Sequence, residues 1–135
     1  MTPDAPADDA TRIAAATAYI DALVSHRAAD VPLAPDAVRI EVGIKTGFSG
    51  AHIRRSLEGG PQFKVIGAVR DLRAEVTEPG VVDTRFLLDT VVLGTNPVIA
   101  EITERFYVDD AGLITRIEAK IRPRLGTLFD RLRRG

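Results

Sequence analysis

The segment VIAEITERFYV, residues 98–108, alternates with a period of two, and one of its faces reads Val98, Ala100, Ile102, Glu104, Phe106, Val108. Glu104 is the only charged side chain on that apolar face. Burying a lone carboxylate is expensive unless it is paired or protonated, so this position predicts a carboxyl whose acid form is favoured. A titratable group in such a place is a candidate for general acid–base work. Two plainer readings stand beside that one: Glu104 pairs with a buried arginine, or it lines a wet cavity.

Other chemistry-bearing residues are weaker signals. In VRIEVGI the apolar positions Val38, Ile40, Val42 and Ile44 predict the inward face, which leaves Glu41 on the solvated one. Tyr19 lies on a helical face, where a hydroxyl at the rim is the ordinary outcome. His52, in SGAHIRRSL, reads either as a proton-shuttling group at a pocket mouth or as an exposed histidine on a short helix. His26 sits near the end of the first helix, where a cation suits the dipole. The two histidines are too isolated for a metal pair. Gly43, Gly47 and Gly50 lack the spacing of a phosphate loop. Asp83, Arg85 and Asp89 share one strand face opposite the apolar Val82, Phe86, Leu88 and Val92, which predicts an outer, solvated surface.

The elements that must hold these residues are legible in outline. Residues 9–30 carry Ile13, Ala16, Ile20, Leu23 and Val24 at helical spacing, with Asp8 or Asp9 as N-cap. VPLAPD reads as a short turn or one helical turn, and a strand is expected at 38–44. Ser49 caps a short helix that ends before Gly59-Gly60-Pro61. Residues 63–78 alternate, but the apolar parity slips from Phe63, Val65 and Val69 to Leu72, Ala74 and Val76. A strand cannot change face without an extra residue, so a bulge is expected near Arg70–Asp71. Strands at 81–92, 98–108 and 113–122 follow, joined by turns at Gly94–Pro97 and at the Asp109-Asp110-Ala111-Gly112 hairpin. After Pro123, Leu125, Leu128, Phe129 and Leu132 recur at helical spacing among arginines.

The order of helices first and a long antiparallel meander afterwards is an α+β pattern. It divides the chain into a flexible start (1–8), one domain (9–122) and a basic amphipathic tail (123–135). A chain of 135 residues buries roughly two-thirds of its unfolded surface and needs no staple. It has no cysteine, which excludes disulfides, thiolate metal sites and cysteine nucleophiles. A net charge of −1 gives no electrostatic case for nucleic acid or a membrane surface. No secretory leader or membrane-spanning run is visible, so a cytoplasmic location is expected.

The stretches AYIDALVSHRAADVPLAPDAVRIEVG and FYVDDAGLITRIEA resemble the first helix-to-strand passage and the closing hairpin of the nuclear transport factor 2-like superfamily. The resemblance covers about residues 9–122. It implies N-terminal helices packed in a strongly curved antiparallel sheet, a cone-shaped half-barrel with a central pocket. Members include ketosteroid isomerases, polyketide cyclases, scytalone dehydratases, limonene epoxide hydrolases and non-catalytic modules, so fold does not give function.

Against the ketosteroid isomerases, the resemblance places Glu104 on the protonated acid of the oxyanion hole, Tyr19 on its tyrosine and Glu41 near the general base. It implies a flat apolar ligand, of steroid, terpenoid or polyketide type, held by Phe86, Ile102, Phe106, Ile117, Ala119 and His52, with no cofactor and no metal. Asp83, Arg85 and Asp89 resemble the acid, guanidinium and base of the limonene epoxide hydrolases, although their face is the outer one. The alternative is a non-catalytic interaction module. Either implies a homodimer through the outer sheet face that bears Arg85, Asp89, Glu101 and Arg105.

Overall fold

The computed structural model describes residues 5–91 and 98–125. Helix α1 spans Asp9–Ser25, and Asp8 caps it by accepting from the Thr11 amide at 2.8 Å. It ends at His26, which takes a left-handed conformation and donates its backbone N–H to Ala22. Small and apolar side chains of α1, among them Ala15, Ala16, Tyr19, Ile20 and Leu23, are buried in the core.

The strands are β1 (Leu33–Glu41), β2 (Ile44–Gly47), β3 (Ile66–Glu78), β4 (Val81–Thr90), β5 (Val98–Val108) and β6 (Ile114–Leu125). Helix α2 (Gly50–Gly59) and the single turn α3 (Pro61–Lys64) lie between β2 and β3. The sheet order is β2-β1-β6-β5-β4-β3. Every neighbouring pair is antiparallel except β1 and β6, which run parallel. The sheet is therefore mixed rather than wholly antiparallel. It curls without closing around α1, and the buried inner face carries Val82, Phe86, Ile102, Phe106 and Ile117. Burial of each such side chain contributes about 1.5–3 kcal/mol.

Several local features follow the sequence. Ser49 caps α2 by accepting from the His52 amide. The strand β3 shifts register between Arg70 and Arg73, and Asp71 takes φ 55° there, so the expected bulge lies where the apolar parity slips. Gly112 closes the β5–β6 hairpin at φ 82°. Arg54 of α2 donates to the carbonyls of Ala28, Ala29 and Val31, which ties the segment after α1 to α2.

Other expectations are corrected. VPLAPD is neither a turn alone nor a helical turn, because β1 already begins at Leu33 and absorbs Pro35 in a register shift between Leu33 and Val38. The strand expected at 38–44 is broken by a tight turn in which Val42 (φ 52°) and Gly43 (φ 78°) both take positive φ. Such paired left-handed residues match the twist of a two-residue hairpin. Pro61 begins a helical turn, so β3 starts at Ile66 rather than 63. β6 continues through Pro123 to Leu125. The turn at 94–97 and the helical spacing beyond 125 lie outside the described residues.

Gly47 sits under the site that β1 builds. A Cβ there would fall 2.8 Å from the Cβ of Arg39 and 2.6 Å from Cγ1 of Ile53. Gly47→Ala is expected to lower stability by about 1–3 kcal/mol, the usual effect of overpacking. Urea unfolding at constant m-value would measure it, and an unchanged midpoint would show that α2 yields without cost.

Candidate active site

Strand register brings the two candidate glutamates into one row. Glu41 of β1 lies opposite Ala119 of β6, and Ala119 lies opposite Glu104 of β5. Residues level with one another on adjacent strands point to the same face, and strands stand roughly 4.8 Å apart. The two Cα atoms are thus about 10 Å apart, with only a methyl group between them. A cavity of about 270 Å³ occupies that side of the sheet. Tyr19, Glu41, Ile102, Glu104 and Ala119 line it, together with apolar groups such as Phe63.

The face of β1 is the reverse of the one its apolar residues predict. Val42 and Ile44 are 64% and 68% exposed, whereas Arg39 is fully buried and Glu41 lines the cavity. Arg39 makes this inward face tenable. Its Nε lies 3.0 Å from Oε1 of Glu41 and donates to Oγ1 of Thr46 at 3.1 Å. Nη2 donates to the Thr46 carbonyl, and Nη1 donates to the hydroxyl of Tyr19 at 3.3 Å. The guanidinium also lies 4.9 Å from the ring centre of Phe63. A buried charge so fully met by an opposite charge, hydrogen bonds and an aromatic face avoids most of its desolvation cost.

Glu104 has no comparable neighbour. It is buried, and its Oε2 has no hydrogen-bond partner among the described residues. Burial first, and the charge of Glu41 second, push its pKa up to about 8, with Arg39 pulling the other way. At neutral pH its acid form therefore predominates. Burial, and then the nearby Glu104 charge, also push the Tyr19 hydroxyl upward, so it stays protonated. The arrangement sets two proton donors, Glu104 and Tyr19, beside a carboxylate held by an arginine.

The remaining expected ligand contacts divide. Ile102 and Ala119 are on the cavity wall, whereas Phe86, Phe106 and Ile117 are packed into the core and do not line it. Phe106 meets Tyr19 edge-on at 5.3 Å and supports the ring from behind. His52 is also off the wall. Capping at Ser49 turns it back on its own loop, where Nδ1 accepts from the Phe48 amide at 3.1 Å. Asp83, Arg85 and Asp89 lie on the outer face, in ion pairs with Arg105, Glu101 and Arg70. Among the described residues no cluster of metal-binding side chains forms, and no helix is long and apolar enough to cross a membrane.

Arg39 is the residue of this candidate site that the hydrophobic pattern does not reveal. Its signal was the i, i+2 spacing of Arg39 and Glu41, which lets opposite charges neutralise each other on one strand face.

Glu104 binds a proton more tightly in the folded chain than in the unfolded one, where 4.5 is its ordinary value. The stabilisation from that proton is complete below about 4.5 and is lost as pH rises towards about 8. The slope is up to about 1.4 kcal/mol per pH unit. Glu104→Gln is expected to flatten this part of the stability–pH profile and to be more stable than the parent at pH 9. Denaturant titrations from pH 4 to 9 check it; parallel profiles would mean that the carboxyl is solvated.

The known proteins that this chain resembles bear on fold and family. One solved structure, an LEH-like epoxide hydrolase from M. tuberculosis, is similar with a TM-score of 0.64 and 21% identity, over 92% of this chain and 88% of that one. A second, a protein from Sphaerobacter thermophilus, is similar with a TM-score of 0.58 and 19% identity, over 83% and 94%. Identities this low show a shared fold, in keeping with the nuclear transport factor 2-like cone. A search of curated proteins finds no match. The profile of a family described as a domain of unknown function, DUF8021, matches residues 6–121. That match takes in nearly all of the described residues, site included, and the chain accordingly belongs to the DUF8021 family.

Proposed function

We propose that the domain binds a small, flat, apolar compound with one oxygen acceptor and carries out cofactor-free proton transfer on it. The observation that supports this most is the row Glu41–Ala119–Glu104, which sets a paired carboxylate and a neutral carboxylic acid on one apolar cavity. Two carboxyls held in opposite protonation states are what acid–base catalysis at neutral pH requires. In this reading Glu41 accepts a proton from a carbon next to a carbonyl, while Glu104 and Tyr19 donate to the oxygen where charge develops. Return of the proton to a neighbouring carbon completes an isomerisation.

The cavity size narrows the ligand. About 270 Å³ lies just below the usual range of ligand pockets, which suits one or two rings better than four. Among the ligands expected from the sequence, terpenoid- or small polyketide-like compounds are therefore favoured over steroids. The LEH-like epoxide hydrolase shares this fold, and opening an epoxide draws on a similar pairing of a donor at oxygen with a carboxylate base. The alternative of a non-catalytic dimeric module draws less support. It expects a pocket filled by the chain's own side chains, and its proposed contact residues Arg85, Asp89, Glu101 and Arg105 already form ion pairs within the chain.

The reading is tested by proton exchange, which does not require the natural substrate. 2-Tetralone, a two-ring ketone, should exchange its benzylic hydrogens for deuterium faster with the protein than in buffer. Glu41→Gln should reduce that acceleration by about 10²–10⁴-fold, the usual contribution of a general base. Glu104→Gln keeps a donor and should lose less than Glu104→Ala. Exchange at the buffer rate, or full activity in Glu104→Ala, would overturn the assignment.

A further inference from the structure

Arg39 is held from four directions, by Glu41, Thr46, Tyr19 and Phe63, and none of these contacts is with solvent. We propose that Arg39 is the positioning residue of the site, turning the hydroxyl proton of Tyr19 towards the cavity and holding Glu41 as the charged counterpart of Glu104. The proposal rests on the acid–base reading of the cavity and extends it to a residue outside the reacting set.

The argument starts from donors and acceptors. A guanidinium carries five N–H donors and no acceptor. Nη1 of Arg39 donates to the Tyr19 oxygen at 3.3 Å, so the hydroxyl proton has to point away from Arg39. Tyr19 lines the cavity, and Phe106 packs edge-on against its ring. The hydroxyl is left to donate into the space where a ligand oxygen would lie. Without Arg39 no donor fixes the direction of that proton.

Charge supplies the second half. The titratable and charged groups meeting at Glu104 are Glu41 and Arg39 from β1 and Tyr19 from α1. Arg39 cancels the charge of Glu41 across 3.0 Å, which leaves a site with no net charge when Glu104 is protonated. A lysine would supply the charge but not the fork that reaches Thr46, Glu41 and Tyr19 at once. The residue thus balances the charge of Glu41 beside Glu104 and sets which way the tyrosine faces.

The experiment uses the free 135-residue chain, so it is independent of whether any ketone turns over. Carboxyl ¹³C NMR follows Glu104, assigned by its loss in Glu104→Gln. In Arg39→Met the midpoint should move upward from about 8, because the positive charge of Arg39 that opposes the rise is gone. A merely space-filling arginine predicts the reverse, since its loss lets water in and draws the midpoint down towards 4.5. Arg39→Gln should show the same upward sign and serves if the methionine variant fails to fold. Arg39→Lys should return the midpoint most of the way. The Tyr19 ¹³Cζ resonance should shift in the neutral variants and stay put in Glu104→Gln. A fallen or unmoved midpoint overturns the charge half of the proposal, and an unmoved Tyr19 resonance overturns the orientation half.

Discussion

A guanidinium without solvent contact governs this structure. Arg39 has to be neutralised where it lies, and the groups that neutralise it come from separate parts of the chain: Glu41 from its own strand, Thr46 across the hairpin, Tyr19 from α1 and Phe63 from the turn before β3. Each would be unremarkable alone. Together they bring the end of β1, the middle of α1 and α3 to one point beside the cavity, which Tyr19, Glu41 and Phe63 line. A change that left Arg39 buried but unpaired would be strongly destabilising, since an uncompensated charge remains.

The same constraint explains the inverted face of β1. Inward placement of Val38, Ile40 and Val42 would bury more apolar surface, and the hydrophobic pattern alone favours it. Register with β6 decides otherwise. Arg39 sits opposite Ile117 and Glu41 opposite Ala119, both of them inner-face residues of β6. One residue of slip would exchange the faces and put the ion pair in water. The tight turn at Val42–Gly43 fixes that register from the other end by pairing Glu41 with Ile44. Local hydrophobicity loses here to a combination of parallel pairing, turn geometry and a self-satisfying pair of charges.

Much of the fold was legible in the sequence because it depends on local chemistry. The Asp8 and Ser49 caps, the bulge at Asp71 and the glycine of the closing hairpin are decided by residues within a few positions of one another. Glu104 was legible for a related reason: it is one charge in an otherwise apolar alternation, whatever strand lies beside it. Glu41 and Arg39 were not, because their orientation depends on β6, 78 residues away in sequence. The cavity wall was legible only in part. Alternation identifies inward-facing residues but not how far along a strand the helix stops covering them. Phe86 and Phe106 lie where the core is filled, whereas Ile102 and Ala119 lie where it is not.

Charge balance then links packing to chemistry. With Glu104 protonated, the negative charge of Glu41 on the cavity wall is balanced by Arg39 paired with it, and the remaining wall is largely apolar. A second unpaired negative charge is what this environment resists, as the upward displacement of the Glu104 pKa shows. A ligand that arrives negatively charged therefore meets the same penalty, and a neutral one does not. Negative charge that develops on a bound oxygen is different, because it forms beside two hydrogen-bond donors already in place. Donors fixed before the reaction need no reorganisation when the charge appears. The cost of keeping a neutral acid and a buried arginine in an apolar cone is met during folding, and a site of this kind can then favour a transient oxyanion over a permanent one.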